Sequence, residues 1–229
     1  YEEAGANILD DAQRVLENAD IVLKINKPIG PKEKDGSKLD EVKLLKSGSI
    51  LVSLMEPYKD RDLIGLIAKQ NITCFALELI PRITRAQTMD VLSSQSNLAG
   101  YKAVIEASTT YGKAFPMMMT AAGTVPPAKC LVMGAGVAGL QAIATARRLG
   151  AVVSASDVRP AAKENVESLG AKFIAVEDEE FKQAETSGGY AKEMSDEYKK
   201  KQTELIAATV AKQDIIICTA LIPGKPAPV

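Results

Sequence analysis

The chain has 229 residues, 46% of them apolar, with 28 basic side chains against 29 acidic ones and no histidine or tryptophan. So even a balance excludes the basic footprint of a nucleic-acid binder or of a protein held to an anionic membrane surface. No uninterrupted apolar run approaches the roughly 20 residues of a membrane helix, and the length suits one large domain or two modest ones with a sizeable core.

Short β-branched or Leu-rich runs alternate with amphipathic segments, the pattern of parallel sheets covered by helices. In the first half, strands are expected near Ile21 to Ile25, Ser49 to Leu54 and Ile72 to Leu77. Helices are expected near Leu39 to Lys46 and Tyr58 to Gln70, the second with Leu63, Leu66 and Ile67 on one face. The stretch from Lys27 to Lys38 combines two prolines, two glycines and dense charge, and reads as a solvated loop. Glu78 to Asp90 follow directly on the third strand and so take the carboxyl edge of a sheet, where ligands bind in open α/β folds. There Arg82, Gln87 and Asp90 supply a fixed cation, an amide that donates and accepts, and a carboxylate acceptor, a set able to hold a carboxamide and a ribose. Helix capping and surface charge account for the same residues, and on spacing alone they are the simpler reading. A long helix from about Met89 to Tyr111, stopped at Gly112, separates the halves, and Pro126-Pro127 marks the start of the second. A boundary near Ala122 gives a first α/β domain over 1–121 and a second over 122–229. Met117, Met118 and Met119 read as gap-fillers in interdomain packing.

The second half has strands expected near Cys130 to Met133, Val152 to Ser156, Lys172 to Val176 and Ile215 to Thr219. The first of these runs into Gly134-Ala135-Gly136-Val137-Ala138-Gly139, a helix follows, and Asp157 closes the next strand. Gly134 permits the tight turn, Gly136 lets the backbone approach a pyrophosphate with no Cβ in the way, and Gly139 allows close packing of helix on sheet. Phosphates then sit on the free N–H groups of the helix opening near Val137. Asp157 is placed to accept hydrogen bonds from an adenosine ribose and to repel a 2′-phosphate, so the signature reads NAD(H) rather than NADP(H). Nearby Arg159 can in principle greet a 2′-phosphate. A glycine-rich turn that binds nothing, or that takes another adenosine ligand such as S-adenosylmethionine, satisfies the same spacing.

Farther on, Glu177 to Met194 is acidic and polar around Ser187-Gly188-Gly189-Tyr190-Ala191. Paired glycines beside an aromatic ring are what a lid needs, and a plain loop fits as well. Lys199, Lys200 and Lys201 belong to a helix that carries Asp196 and Glu197 at its N-terminus, as the helix dipole favours. Cys74, Cys130 and Cys218 each lie in or beside an apolar run with no Cys-x-x-Cys pair, and read as buried thiols of a reducing compartment. Both ends read as cut: there is no initiating Met, and the last strand runs into Leu221 to Val229 with no helix after it. The expected architecture is α/β, two Rossmann-like parallel-sheet domains with a cleft between them, in a piece of a longer chain.

The runs Pro81 to Gln95, Asn97 to Tyr101, Ala121 to Lys129, the Gly134 fingerprint and Ala220 to Pro228 resemble the NAD(H)-binding components of proton-translocating nicotinamide nucleotide transhydrogenases, over essentially the whole chain. The resemblance implies that Gly134, Gly136 and Gly139 hold the pyrophosphate and Asp157 the adenosine ribose, with Ala135, Val137, Val158 and Arg159 completing the cofactor-binding set. It implies that Tyr190 rides a mobile loop closing over the nucleotide. Arg82, Gln87 and Asp90 would reach toward the nicotinamide and toward the partner's nucleotide. The partners implied are an NADP(H)-binding component, a proton-conducting membrane component and a second copy in a homodimer, with no span in this chain itself. The setting implied is the cytoplasmic face of a bacterial inner membrane or the mitochondrial matrix. Against the family pattern, the opening strand-and-helix segment and the closing part of the second domain are missing.

Alanine dehydrogenases share this fold and pattern. Reducing an imine or carbonyl needs a proton donor beside the hydride, and those enzymes use a histidine and a lysine. Lys24 matches their lysine-bearing strand end, whereas Leu51 to Pro57, where the histidine would lie, offers Glu56. Hydride passing directly between two nicotinamide rings leaves no oxygen or nitrogen to protonate, so a site without a general acid suits it. Transhydrogenation therefore ranks first, an amino-acid dehydrogenase second and a non-catalytic NAD(H)-sensing module third.

Overall fold

The structure is a computed structural model of the chain and describes residues 1–31, 39–81, 83–182 and 194–221. The chain divides into two compact units, Tyr1–Leu92 and Ser93–Val229. The boundary expected near Ala122 falls inside the second unit.

The first unit runs α1 (Ala12–Asn18), β1 (Ile21–Leu23), α2 (Glu41–Leu44), β2 (Ile50–Ser53), α3 (Arg61–Lys69) and β3 (Thr73–Ala76), followed by the 3-10 turns Leu77–Leu79 and Thr84–Met89. Its three strands are parallel in the order β1-β2-β3, with Leu23 beside Val52 and Val52 beside Phe75. Strand alternation sends Val22 and Leu51 inward, where they meet Leu63 and Ile67, one helical turn apart on α3, and Leu45 and Met55 from the connecting loops. Asp11, Asp40 and Asp60 cap α1, α2 and α3 by accepting from the backbone N–H groups of Gln13, Lys43 and Leu63, each cap contributing on the order of 1 kcal/mol.

The second unit takes nearly all of α4 (Val91–Tyr111), then β4 (Met118–Thr120), β5 (Gly123–Val125), β6 (Lys129–Met133), α5 (Val137–Arg148), β7 (Val152–Ser156), α6 (Ala162–Ser168), β8 (Lys172–Phe173), α7 (Glu179–Lys182), α8 (Asp196–Val210) and β9 (Ile215–Cys218). The long helix belongs here because it packs backbone to backbone on α5. A Cβ on Gly100 would lie 2.0 Å from the carbonyl oxygen of Ala138, and one turn later Val104 is fully buried in the second core.

The main sheet is parallel in the order β8-β7-β6-β9. The chain steps from β6 outward through β7 to β8, then returns to lay β9 on the other side of β6. The reversal places a topological switch point at the carboxyl end of β6, where such sheets bind ligands. Flanked on both edges, β6 buries Cys130, Leu131 and Val132 completely, the near-continuous apolar run of a central parallel strand. Each aliphatic side chain there contributes about 1.5–3 kcal/mol.

Met117, Met118 and Met119 are exposed, at or within an antiparallel hairpin of β4 and β5. One expectation needs correction. Cys218, expected to be a buried thiol, is exposed, while Cys74 is half-buried and Cys130 buried. Strand β9 has solvent on alternate residues, and Cys218 falls on the outward phase.

Candidate functional site

The turn after β6 is pinned on both sides. Gly134 has φ +96, in the left-handed region that favours glycine. Its N–H donates to the carbonyl of Ser156 at 2.8 Å, at the end of β7. Its carbonyl accepts from Thr219 Oγ1 at 2.8 Å, just past β9, and Thr219 N–H donates to the Met133 carbonyl at 2.8 Å. Thr219 is thus a site residue that the sequence reading missed, since a threonine at a strand end carries no signal until the strand order is known.

The three glycines of the turn do different work. A Cβ on Gly139 would meet the Gly134 carbonyl oxygen at 1.8 Å and Thr219 Oγ1 at 2.9 Å, so its absence serves packing within the protein. Among the described residues, a Cβ on Gly136 would meet nothing within 4 Å, which leaves the room that a ligand's phosphates require.

Helix α5 begins here, with Gly136 as its N-cap and no side-chain cap. The contrast is with α1, α2, α3 and α8, which are closed by Asp11, Asp40, Asp60 and Ser195. The first N–H groups of a helix lack intrahelical acceptors, and over the 12 residues of α5 the peptide dipoles add positive potential at that end. An uncapped N-terminus beside open space at a switch point is a donor set that fits the pyrophosphate of a dinucleotide. Ala135 is buried in the turn, while Val137 stands exposed at the first helical position.

Asp157 follows β7 with only 8% of its surface exposed. Its Oδ2 accepts from the N–H of Ala135 at 2.7 Å and from an Arg159 guanidinium nitrogen at 2.9 Å. Its Oδ1 accepts from the backbone N–H and Nε of Arg159, both at 2.9 Å. Burial pushes the carboxyl up, but the Arg159 guanidinium and the two backbone N–H groups outweigh it and hold Asp157 below the ordinary carboxylate value. The side chain is therefore a fixed anion at neutral pH. Val158, between the two, is exposed. The second unit thus brings together Gly134, Ala135, Gly136, Val137, Gly139, Asp157, Val158 and Arg159, whereas Tyr190 and the Ser187 to Ala191 segment lie outside the described residues.

In the first unit, Gln87 is exposed on the 3-10 turn Thr84–Met89, and Asp90 follows it, donating its N–H to the Gln87 carbonyl at 3.3 Å. Arg82 lies outside the described residues. Lys24, at the end of β1, places Nζ 2.7 and 2.6 Å from the two carboxylate oxygens of Glu41, which is buried and also accepts from the Ile29 N–H at 2.7 Å. The ammonium is committed to an internal ion pair. Glu56 has φ +48, and Glu78 Oε1 accepts the N–H groups of Met55 and Glu56 at 2.7 and 2.6 Å. Glu78 thereby ties the end of β2 to the start of the segment carrying Gln87.

A parallel sheet switching direction at β6, a glycine turn into an uncapped helix and an acid closing the next strand define a Rossmann-like, nucleotide-binding class of protein. The comparisons sharpen this: residues 1–99 match the family described as alanine dehydrogenase/PNT, N-terminal domain, and residues 103–229 its C-terminal domain. The chain belongs to the alanine dehydrogenase/PNT family. It is 58% identical over 226 residues to the first part of NAD(P) transhydrogenase subunit alpha from Rhodospirillum rubrum, covering 99% of this chain and 58% of that protein. To the protein of the same name from Rickettsia prowazekii it is 51% identical over 228 residues, covering 100% of this chain and 58% of that protein. Among solved structures, the crystal structure of transhydrogenase from Sinorhizobium meliloti matches with a TM-score of 0.82 and 56% identity, over 100% of this chain and 58% of that one. The alanine dehydrogenase of Methanococcus maripaludis is more distant, 26% identical over 231 residues, covering 100% of this chain and 53% of that protein. The chain spans a little over half the length of these relatives.

Proposed function

We propose that this chain is the NAD(H)-binding component of a proton-translocating transhydrogenase, in which hydride passes directly between NAD(H) held here and NADP(H) held on a partner component. The observation that carries the reading is the match, along nearly all of this chain, to transhydrogenase chains at 51–58% identity. The glycine turn with its uncapped helix supports the cofactor assignment.

When bound, NAD(H) supplies the hydride donor or acceptor, and the chain supplies position. The N–H groups at the start of α5, around Gly136 and Val137, would hold the pyrophosphate, and Asp157, flanked by Val158 and Arg159, would take the adenosine ribose. Gln87, Arg82 and Asp90 would orient the nicotinamide ends across the interface without exchanging a proton. Tyr190 keeps the covering role that the resemblance implies. Holding two reacting carbons at near-attack distance accounts for most of the acceleration such a site can give. The proton-conducting membrane component, the homodimer and a peripheral place on a bacterial inner membrane or in the matrix complete the proposal.

The alanine dehydrogenase alternative is disfavoured at Lys24, whose ammonium is bound to both oxygens of buried Glu41. Equilibrium titration with NADH and NADPH, paired with an assay for alanine-dependent NAD reduction, separates the readings. Tight NADH binding, weak NADPH binding and no alanine oxidation are expected. Brisk alanine oxidation moves the assignment to the dehydrogenase.

A further inference from the structure

The carboxylate that would receive the adenosine ribose is already saturated. An ionised carboxylate offers about four lone-pair sites. Among the described residues Asp157 accepts four hydrogen bonds, two on each oxygen. Two of them come from backbone N–H groups that frame the site. The Ala135 N–H belongs to the buried glycine turn, and removing its acceptor would strand a buried donor. The Arg159 N–H belongs to the turn leaving β7. The other two come from the Arg159 side chain, whose Nε and guanidinium nitrogen grip one oxygen each at 2.9 Å in a fork. That side chain is 32% exposed against 6% for Asp157, so of the two partners it is the arginine that solvent reaches and that has room to move.

From this geometry we infer that Arg159 is a displaceable stand-in for the ribose: its guanidinium occupies the two acceptor positions that the 2′- and 3′-hydroxyls of an adenosine need, and nucleotide binding requires it to swing away. The inference rests on the NAD(H) reading above and deepens it. A vicinal diol presents two donors at about the spacing of the guanidinium fork, so the exchange is one pair of hydrogen bonds for another. Two consequences follow for specificity. The free protein is held mostly in a state that cannot accept ribose, and apparent affinity falls by the fraction of time Asp157 is released. The same guanidinium, near Asp157 before and after the swing, tempers the negative charge that would otherwise reject a 2′-phosphate. Arg159 thus weakens binding of the correct nucleotide and softens rejection of the wrong one.

The test uses the intact protein and its Arg159→Gln variant, with NADH, 5′-AMP and adenosine 2′,5′-bisphosphate as calorimetric ligands. In Arg159→Gln, NADH and 5′-AMP should bind roughly three- to ten-fold more tightly, since a partly exposed ion pair no longer competes. The bisphosphate should bind more weakly, because Asp157 keeps its charge without the compensating cation. Opposite movement of the two ligands is the signature of a stand-in. If Arg159→Gln binds NADH no better or worse than the unmutated protein, Arg159 is a direct nucleotide contact or a bystander and the inference is wrong, while the NAD(H) reading stands. If the unmutated protein binds neither NADH nor 5′-AMP, the NAD(H) reading fails and takes this inference with it. A second measurement avoids any folding change in the variant. The side-chain Nε–H resonance of Arg159 should shift or broaden when 5′-AMP binds the unmutated protein, and a resonance that stays in place shows that the fork persists and overturns the proposal.

Discussion

A Cβ on Gly139 would stand 1.8 Å from the carbonyl oxygen of Gly134, whereas one on Gly136, three residues earlier, would touch none of the described residues within 4 Å. One glycine is required by the protein and the other leaves room for a ligand. Gly139→Ala should therefore lower stability by about 1–3 kcal/mol through overpacking. Gly136→Ala should leave stability unchanged or raise it by up to about 1 kcal/mol, because its backbone suits any residue. NADH binding should suffer in both. Denaturant unfolding and NADH titration on the two variants decide the matter. A Gly136→Ala protein that binds NADH normally would remove the pyrophosphate from this turn.

Asp157 is predicted to carry the nucleotide preference. Asp157→Asn deletes a charged acceptor, a loss of about 1.5–3 kcal/mol, or on the order of ten- to a hundred-fold in NADH affinity, with discrimination against NADPH relaxed. Equal affinity of the unmutated chain for the two nucleotides would exclude this role. The pH dependence has a definite sign. Because the folded carboxyl is held below its ordinary value, the stability it contributes is fully present above the unfolded value of about 3.9 and is lost as pH falls through the lower folded one. Its contribution to stability should be flat from about pH 5 to 8, and a step in that interval tied to Asp157 would contradict the assignment.

The thiols are predicted to separate sharply. Burial pushes Cys130 up to about 11, leaving roughly one part in a thousand as thiolate at pH 8. Cys74 is raised as well, by burial first and by the charge of Glu78 second, whereas Cys218 is exposed. Brief alkylation of the native protein followed by mass spectrometry should find Cys218 modified first and Cys130 spared. Comparable modification of Cys130 would mean that β6 is not the buried central strand described.

Gln87 is predicted to act on rate more than on binding. Its side chain is exposed on a 3-10 turn, and a misplacement of about 1 Å between reacting groups costs roughly a hundred-fold. Gln87→Ala should accordingly slow hydride transfer in the presence of the partner component by up to that factor while NADH affinity in this chain changes little. A variant that loses affinity and keeps its rate would make Gln87 a binding residue instead.

Much of this molecule was legible from residue patterns, for identifiable reasons. Strand β7 lies at Val152–Ser156 as expected, and β6 reads from its apolar run and the glycines behind it. The long helix ends at Tyr111 because Gly112 takes φ +69 directly after it. The hairpin of β4 and β5 escaped notice because its two-residue turn is Ala121-Ala122 rather than the Asn-Gly or Asp-Gly pair that announces such turns, and methionine is not a strand marker. Strand β8 stops at Phe173, short of the Val176 expected, and the Val176 carbonyl accepts from the buried Tyr198 hydroxyl at 3.2 Å instead of from a neighbouring strand. The residues of the glycine turn were legible because their chemistry is local. Thr219 and the Arg159 fork were not, because each acts through a partner that only the folded chain brings into range.

The central claim is direct hydride transfer from NAD(H) on this chain to NADP(H) on another component, and single-turnover stopped-flow spectroscopy tests it most directly. NADH bound to this protein is mixed with the proposed NADP(H)-binding component carrying an oxidised NADP analogue, and the reduced analogue is followed at its own absorbance. A rapid burst of reduction is predicted, one that requires the partner and proceeds with no amino-acid substrate. Absence of that burst with both nucleotides demonstrably bound would contradict direct transfer.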